Sequence, residues 1–200
     1  MEIPAITIIE EADRRKAIAT LLLGFSGDPF MRWLNPRADL YLEAGPSFDA
    51  FGGRAIDSGS AYVANEFEGV ALWMPPGVES DEERFIEEVL KFVPESKHET
   101  MFKVLEAMEE YHPKDAWYLP IIGVDPVYQG KGIGSLLMKK AIERVDSEGL
   151  SAYLESSNPL NMSLYERCGF ETMGRIQIGD CPVIHPMIRE KNKIPSSSRF

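Results

Sequence analysis

The segment 121–134 constrains this chain more than any other part of its sequence. It opens with apolar residues typical of a buried strand, breaks at Asp125-Pro126, and then passes three glycines: Gly130, Gly132 and Gly134. A helical pattern follows, with apolar residues spaced along one face: Ile133, Leu136, Leu137, Ala141, Ile142 and Val145. The first N–H groups of a helix have no internal partners and carry partial positive charge. A strand, a glycine loop and a helix start in this order therefore predict a phosphate-binding loop.

The spacing of the glycines excludes the two commonest loops of this kind. A P-loop needs Ser or Thr directly after the lysine, but Gly132 follows Lys131. A dinucleotide-binding G-x-G-x-x-G pattern also fails, because its third glycine position holds Ser135 or Leu137 in the two possible registers. The pattern that fits is Gln129-x-x-Gly132-x-Gly134. It resembles the acyl-CoA pyrophosphate loop of the GNAT superfamily of N-acetyltransferases, written Q/R-x-x-G-x-G/A.

A second motif lies at the distance that this family requires. The short predicted strand 151–156 leads to Asn158, and the following helix pattern ends as Tyr165-Glu166-Arg167-Cys168-Gly169-Phe170. In GNAT enzymes the fifth strand leads to a helix that begins near an Asn and ends as Tyr-x-x-x-Gly-Phe. The resemblance is close over about 116–175 and covers the remainder in outline. It implies a GNAT fold, a twisted mixed sheet of about seven strands with helices on both faces and a cleft where strands four and five splay apart.

The resemblance also implies where acetyl-CoA, the expected co-substrate, binds. The pyrophosphate would contact backbone N–H groups of the loop, and the pantetheine amides would pair with the backbone of the fourth strand. Gly123 either eases that approach or marks a bulge. Lys131 either adds charge or points to solvent. The expected coenzyme-binding residues are Ile122, Gly123, Val124, Gln129, Gly130, Lys131, Gly132, Ile133, Gly134, Asn158 and Tyr165.

Tyr165 is the leading catalytic candidate. In the family a tyrosine at this position places its hydroxyl near the thioester sulfur and serves as a general acid. A phenol with a pKa near 10 would give its proton to a thiolate of pKa about 8.5 at a cost of about 2 kcal/mol, so stabilisation by a hydrogen bond is an equal part of the expected role. The alternative is a buried tyrosine that packs beside Phe170.

The base that deprotonates the amine is predicted less directly. Glu155 ends the fifth strand, where alternation puts it on the same face as Tyr153, and desolvation there would raise its pKa. The alternative is a solvated glutamate at a strand end. Lesser candidates are Glu66, Glu68 and Asp28. Asn158 followed by Pro159 is a typical helix N-cap, and that role is compatible with a coenzyme contact.

Composition limits the other functions. The chain has 200 residues, 44% hydrophobic and 26% charged, which predicts one globular domain over 1–190 and a flexible tail over 191–200. A net charge of −11 disfavours nucleic acid and is compatible with a cationic amine. No apolar run reaches the ~20 residues of a membrane span, and the N-terminus lacks a signal-peptide pattern, so we expect a cytoplasmic protein.

Two further classes of site are not expected. The three histidines, His98, His112 and His185, lie at no metal-ligand spacing, so no metal is predicted. His112 and His185 each precede a proline, which predicts positions in loops or at strand edges. Cys168 and Cys181 cannot form a disulfide framework and are interpreted as small core residues.

The periodicity gives an order of elements. It predicts strand 5–9, helix 12–23, an irregular aromatic segment 24–36, helical residues 39–51 interrupted at Gly45-Pro46, strands 61–64 and 70–74, two helices within 81–111 divided at Pro94, strand 116–124, a helix from residue 133, strand 151–156, a helix from Asn158, and strands 170–178 and 183–188. The helices of 81–111 and the segment 24–36 are either the acceptor pocket wall or packing elements.

The predicted activity is acetyl transfer from acetyl-CoA directly to a primary amine of a small molecule or peptide, by a monomer or homodimer. The segments 28–33 and 72–77 resemble the puromycin-type branch of the family. Predicted substrate-pocket residues are Phe25, Asp28, Phe30, Trp33 and Trp73. Transfer of a longer acyl group, which requires a roomier pocket beside Tyr165, and a non-catalytic acyl-CoA sensor are the competing hypotheses.

Overall fold

The computed structural model describes residues 4–191, and its centre is one mixed β-sheet. The strands lie in the order β1-β2-β3-β4-β5-β7-β6. Their bounds are β1 Ile6–Ile8, β2 Ala61–Ala64, β3 Gly69–Met74, β4 Trp117–Val124, β5 Ala152–Ser156, β6 Glu171–Thr172 and β7 His185–Arg189. β4 and β5 are parallel, and the other neighbouring pairs are antiparallel. The predicted mixed fold with about seven strands is confirmed.

Helices cover both faces of this sheet. Their bounds are α1 Arg14–Gly24, α2 Pro29–Leu34, α3 Ala38–Tyr41, α4 Gly45–Gly52, α5 Arg54–Asp57, α6 Glu82–Leu90, α7 Glu95–Tyr111, α8 Ile133–Glu148 and α9 Met162–Arg167. Short 3-10 turns at Pro126–Tyr128 and Pro159–Asn161 precede α8 and α9. Pro94 is the N-cap of α7, and it divides α6 from α7 as predicted.

Alternation along the strands separates two hydrophobic cores. Leu72 and Met74 of β3 pack with α1, α4 and residues of α6 and α7, whereas Ala71 and Trp73 pack with α8 on the opposite face. Both faces of β3 are buried, so this strand is apolar throughout. The sheet is therefore a central layer between two helical layers, and the helices α6 and α7 lie on the first of these faces.

The sheet opens between β4 and β5. Their pairing includes Trp117–Ala152, Tyr118–Tyr153 and Leu119–Leu154, and β4 then continues to Val124 beside β3 alone. Asp125 donates its N–H to the Glu68 carbonyl at 3.0 Å, which makes these two residues a hydrogen-bonded antiparallel pair. Because such pairs alternate along a ladder, the backbone groups of Ile122 and Val124 point away from β3 and into the opening.

Gly123 has a packing role at this opening. It lies in regular register opposite Val70, and the irregularity between β3 and β4 occurs at Leu72–Met74. A Cβ on Gly123 would meet Leu21 of α1 at 3.3 Å, and a Cβ on Gly24 would meet the Gly123 backbone at 3.0 Å. The two glycines therefore allow α1 to lie against the backbone of β4. Of the two alternatives left open for Gly123, the structure excludes the bulge.

Four predicted boundaries differ from the structure. Segment 24–36 contains α2, and residues 54–57 form α5, which was not predicted. Gly45-Pro46 begins α4, because proline fits the first turn of a helix. Strand 170–178 is reduced to the short β6 and a bridge between Ile176 and Ile184. The predicted tail lies, apart from Lys191, outside the described residues.

An ion pair between a buried arginine and a partly exposed aspartate joins β7 to the two helices nearest the opening. Arg189 is fully buried, and its guanidinium donates two hydrogen bonds to the Asp146 carboxylate of α8, at 2.5 and 3.0 Å. Its Nε donates to the Cys168 carbonyl at the end of α9, at 3.0 Å. The pair therefore links β7, α8 and the helix that carries Tyr165.

Asp146→Ala should destabilise the fold by roughly 2 kcal/mol, because it removes the carboxylate that accepts two hydrogen bonds from a buried guanidinium. Chemical denaturation measures this free energy of unfolding. Glu99→Ala is the control, since its pair with Lys103 at 2.6 Å is exposed to solvent and should contribute much less to stability. Equal effects of the two substitutions would show that burial of the Arg189 guanidinium does not strengthen its pair with Asp146.

In the part of the chain that the structure describes, helices long and apolar enough to cross a membrane are absent.

Candidate active site

The glycine loop forms one wall of a groove of about 360 Å³, called the loop groove here, between β4, α8 and α9. Asp125 caps the turn after β4 by accepting the Val127 N–H at 3.0 Å. The chain then passes the glycines and enters α8 at Ile133, which is buried. The N-terminus of α8 therefore opens onto the groove, as the sequence predicted for an anion site.

Two of the loop glycines are required by backbone conformation. Gly130 and Gly132 have φ of +74° and +81°, a region that residues with a Cβ rarely adopt. No atom lies within 4 Å of a Cβ built on either residue, so both face open space in the groove. Gly134 is helical, and its Cβ would lie 3.4 Å from Leu164 of α9.

The polar side chains of the loop are turned back onto the protein. Gln129 lines the groove, and its amide donates to the Val124 carbonyl at 3.1 Å. The exposed Lys131 ammonium lies 4.8 Å from the centre of the Tyr128 ring. Ligand contacts from this loop would therefore come chiefly from backbone N–H groups.

Asn158 has the predicted capping role. Its side-chain oxygen accepts the Leu160 N–H at 3.0 Å and starts the 3-10 turn, while α9 itself begins at Met162. Asn158 and Asn161 also line the loop groove. The cap is thus compatible with a contact to a ligand in the groove.

Tyr165 lies where the loop groove meets a second cavity. It is buried in α9, packs edge-on against Phe170 at 6.3 Å, and lines both spaces. Burial and the negative charge of Asp28 raise the pKa of Tyr165 well above its ordinary value of 10.0. The phenol therefore stays protonated and can act as a hydrogen-bond donor.

The second cavity, of about 110 Å³, is mostly apolar and is called the aromatic cavity. Six phenylalanines line it: Phe25, Phe30, Phe48, Phe51, Phe85 and Phe92. Phe85 and Phe92 come from α6 and the residues after it, and Leu105 and Met108 come from α7. The helices of segment 81–111 are therefore part of the cavity wall. Glu155 is the carboxylate that reaches this cavity.

Glu155 lies on β5 between the aromatic cavity and a third cavity of about 560 Å³, called the acidic cavity. Its side chain is partly accessible through these spaces, while the surrounding protein desolvates the carboxylate. Burial raises the pKa of Glu155 to about 7, against the lowering effect of the Tyr118 and Tyr153 hydroxyls. A carboxylate with this pKa is suited to accept a proton near neutral pH.

Sequence reasoning missed three residues around Glu155. The His112 ring lies 4.4 Å from the Tyr118 ring and stacks on Tyr153 at 5.2 Å, and burial lowers the pKa of His112. Burial raises the pKa of Tyr118 and of Tyr153, and the nearby Glu155 carboxylate adds to this effect. The alternation that paired Tyr153 with Glu155 was a usable signal, and the parallel register then brings in Tyr118.

Asp28 is a structural carboxylate rather than a free base. It accepts the N–H groups of Phe30 and Met31, each at 3.0 Å, and the Ser157 hydroxyl at 2.7 Å. It thereby caps α2 and ties it to the chain after β5, at the edge of the loop groove. Burial raises the pKa of Asp28.

Four other residues predicted to belong to the site line none of the three cavities. Trp73 is fully buried in the core on the α8 face, so the prediction that it lines a substrate pocket is wrong. Trp33 packs behind Phe30, with 5.9 Å between the rings, and under the Lys97 ammonium at 4.7 Å. Glu66 and Glu68 lie on the turn between β2 and β3, away from Glu155 and the three cavities.

Residues 4–191 contain no group of three or more side chains that could hold a metal ion. Within the same range both cysteines are free, Cys181 buried and Cys168 partly exposed at the end of α9.

Comparisons with known proteins agree with this geometry. The family model described as "Acetyltransferase (GNAT) family" matches residues 96–170, which include β4, the glycine loop, β5 and Tyr165. An uncharacterized N-acetyltransferase of Schizosaccharomyces pombe is 29% identical over 187 residues, covering 81% of this chain and 72% of the relative.

Solved structures extend the likeness to nearly the whole chain. One described as histone acetyltransferase HPA2 and related acetyltransferase, from Corynebacterium glutamicum, has a TM-score of 0.69 at 24% identity and covers 98% of this chain and 99% of its own. Arylalkylamine N-acetyltransferase 2 from Aedes aegypti has a TM-score of 0.67 at 15% identity, covering 96% and 100%. Residues 96–170 therefore match the GNAT acetyltransferase family model, and most of the chain is similar to a protein named as an N-acetyltransferase, which supports an acetyltransferase.

Proposed function

We propose that the protein transfers an acetyl group from acetyl-CoA directly to a primary amine of a small molecule. The observation that carries this proposal is the position of Tyr165, which borders the loop groove on one side and, on the other, the aromatic cavity that contains Glu155. The Aedes aegypti neighbour, named for an arylalkylamine acceptor, supports a small amine.

The loop groove has the chemistry that coenzyme A requires. Backbone N–H groups at the start of α8 would bind the pyrophosphate, and the positive φ of Gly130 and Gly132 keeps side chains out of that space. The backbone groups of Ile122 and the N–H of Val124 face the same groove and would pair with the pantetheine amides, while the Val124 carbonyl accepts from Gln129. The thioester would then lie beside Tyr165.

The reaction uses one residue on each side of the thioester carbonyl. Glu155 accepts a proton from the ammonium form of the acceptor, directly or through a water, which leaves a neutral nitrogen with a free electron pair. That nitrogen forms a bond to the carbonyl carbon, and the carbon–sulfur bond breaks with its electron pair on sulfur. The Tyr165 hydroxyl donates a hydrogen bond to the thiolate, and the extra proton on nitrogen leaves to solvent.

The aromatic cavity also favours a second candidate, transfer of a longer acyl group. An apolar space of about 110 Å³ beside Tyr165 can hold either the apolar part of an acceptor or a short acyl chain. Rates with acetyl-, butyryl- and hexanoyl-CoA at a fixed amine concentration would separate the two. Faster turnover with the longer donors would favour the second candidate over acetyl transfer.

The test of the proposed function is release of free thiol from acetyl-CoA in the presence of a panel of primary amines. Tyr165→Phe should lower kcat roughly a hundredfold, because it removes one donor to the developing thiolate while the ring and its packing remain. Its affinity for acetyl-CoA, measured by calorimetry, should stay within about twofold of wild type.

Phe170→Leu is the control, since it alters the ring packing of Tyr165 and leaves its hydroxyl in place. Unchanged turnover of Tyr165→Phe would show that the hydroxyl has no role in transfer. Acetyl-CoA binding without thiol release for any amine would support the alternative of a non-catalytic acyl-CoA sensor.

A further inference from the structure

The acidic cavity adjoins the aromatic cavity around Glu155. Both spaces are lined by Phe51, Phe85, Leu105, Met108 and Glu155. The acidic cavity then extends between the segment after β3, the helices α6 and α7, and the start of β4. Glu155 thus lines the acidic cavity as well as the aromatic cavity, and it does not line the loop groove.

The outer part of the acidic cavity carries an excess of carboxylates. Glu79, Glu82 and Glu109 line it and are exposed, and among residues 4–191 none of them forms an ion pair with a lysine or arginine. Glu109 Oε2 lies 3.9 Å from His112 Nδ1, and burial lowers the pKa of that imidazole. Lys114 is the basic residue that lines this cavity. Its outer part therefore remains negative overall.

Between Glu155 and these outer glutamates the wall is apolar. Phe51, Phe85 and Leu105 continue from the aromatic cavity, and Ile86 and Phe102 extend the same surface. Phe102 is 41% exposed, which is unusual for a phenylalanine that only fills a core. The cavity thus has a desolvated carboxylate at its inner end, an apolar middle and solvated carboxylates at its outer end.

We propose that the acceptor is a diamine-like cation, with its reactive amine at Glu155, an apolar chain along Phe51, Phe85 and Leu105, and a second positive group near Glu79, Glu82 and Glu109. This inference rests on the proposed function and names its substrate class. The apolar wall binds methylene groups by the hydrophobic effect. The outer carboxylates bind a cation in a cleft of one sign, where the field is stronger than on an open surface.

The matched probe pair is diaminohexane and heptylamine, in which a methyl group replaces the second ammonium. In the thiol-release assay at low ionic strength, kcat/KM should be roughly tenfold higher for diaminohexane, because three exposed carboxylates each contribute a factor of about two to three. Added salt should reduce this ratio, while the rate with heptylamine changes little.

Glu79→Gln, Glu82→Gln and Glu109→Gln should each lower kcat/KM for diaminohexane by about two- to threefold, mainly through KM, and leave heptylamine unchanged. Glu106→Gln is the control, because it makes the same charge change on an exposed residue of α7 that does not line the cavity.

Two outcomes would overturn the inference in distinguishable ways. Suppose that kcat/KM is equal for diaminohexane and heptylamine, and that the three cavity variants have the same kcat/KM as the Glu106→Gln control. The outer carboxylates would then not bind the acceptor, while the proposed function would stand. Absence of thiol release with both amines and with the wider amine panel would overturn the proposed function, and this inference with it.

Discussion

Glu155→Gln is expected to lower kcat/KM by about a thousandfold, because the amide cannot accept the proton of the acceptor ammonium. Wild-type kcat/KM should rise with pH through about 7, the pKa to which burial raises the Glu155 carboxyl, since only the deprotonated form is a base. The variant should lose this rise and keep only the dependence set by the ionisation of the amine. A pH–rate profile of the two proteins measures both effects.

The same substitution should stabilise the folded protein at alkaline pH. A carboxyl whose pKa rises from about 4.5 to about 7 on folding binds its proton more tightly in the folded state, so this contribution to stability is present below pH 4.5 and is lost as pH rises through 7. At pH 8 wild type therefore carries the cost of a desolvated carboxylate, up to about 3 kcal/mol, which glutamine removes.

Denaturation of both proteins at pH 8 and near pH 4.5 tests this expectation, with exposed Glu110→Gln as the control. The advantage of Glu155→Gln should be large at pH 8 and close to zero at pH 4.5. A pH-independent difference would mean that packing, not ionisation, sets its stability. An unchanged pH–rate profile would exclude Glu155 as the base.

Gly132→Asp should abolish measurable binding of acetyl-CoA. The new side chain enters open space in the loop groove and carries a negative charge toward the site proposed for the pyrophosphate, where the N-terminus of α8 favours anions. Calorimetry with acetyl-CoA, free coenzyme A and NADH measures the loss. Wild type should bind the first two with a Kd on the order of micromolar and NADH far more weakly.

Gly149→Asp is the matched control, because Gly149 ends the same helix in the same left-handed conformation, with φ +67°, and has open space around its Cβ. It introduces the same charge and similar backbone strain at the end of α8 away from the groove. Gly132→Ala separates strain from charge and should retain part of the affinity. Unaltered acetyl-CoA binding by Gly132→Asp would show that the loop does not bind phosphate.

The elements and turns that were predicted correctly from sequence are those whose structure depends on residues close together in the chain. The apolar period of α8 and the apolar run of β4 identify their elements, because burial of one face or of both faces requires those patterns. Gly130 and Gly132 lie where the backbone has a positive φ. Glycine is the residue that adopts this conformation most readily, so the residue type itself indicates the conformation. The order of the elements then followed from these local patterns.

Two failures had a local cause. Asp28-Pro29 begins α2 by the same capping logic that identified Asn158-Pro159, but the aromatic residues after it obscured the helix. Strand 170–178 is apolar enough to predict a strand, yet Gly174 lies against the Tyr111 ring, where a Cβ would approach the hydroxyl to 2.3 Å. The chain there packs on α7 instead of continuing the ladder.

Other parts of the site depend on contacts between distant residues. His112 follows α7 and reaches Tyr118 and Tyr153 only because β4 and β5 pair in a particular register. Trp73 could not be assigned to a face from β3 alone, since both of its faces are buried. The raised pKa of Glu155 likewise depends on the helices that cover it.

The separation of β4 from β5 gives the sheet an edge in its interior. Exposed strand edges, with their unpaired N–H and C=O groups, tend to pair with other chains and cause aggregation. Here the backbone groups of Ile122 and the N–H of Val124 lie inside a groove walled by α1, α8 and α9, and these helices block a strand of another molecule from pairing there. The fold thus leaves hydrogen-bonding groups of β4 available to a narrow ligand without exposing a strand edge to neighbouring molecules.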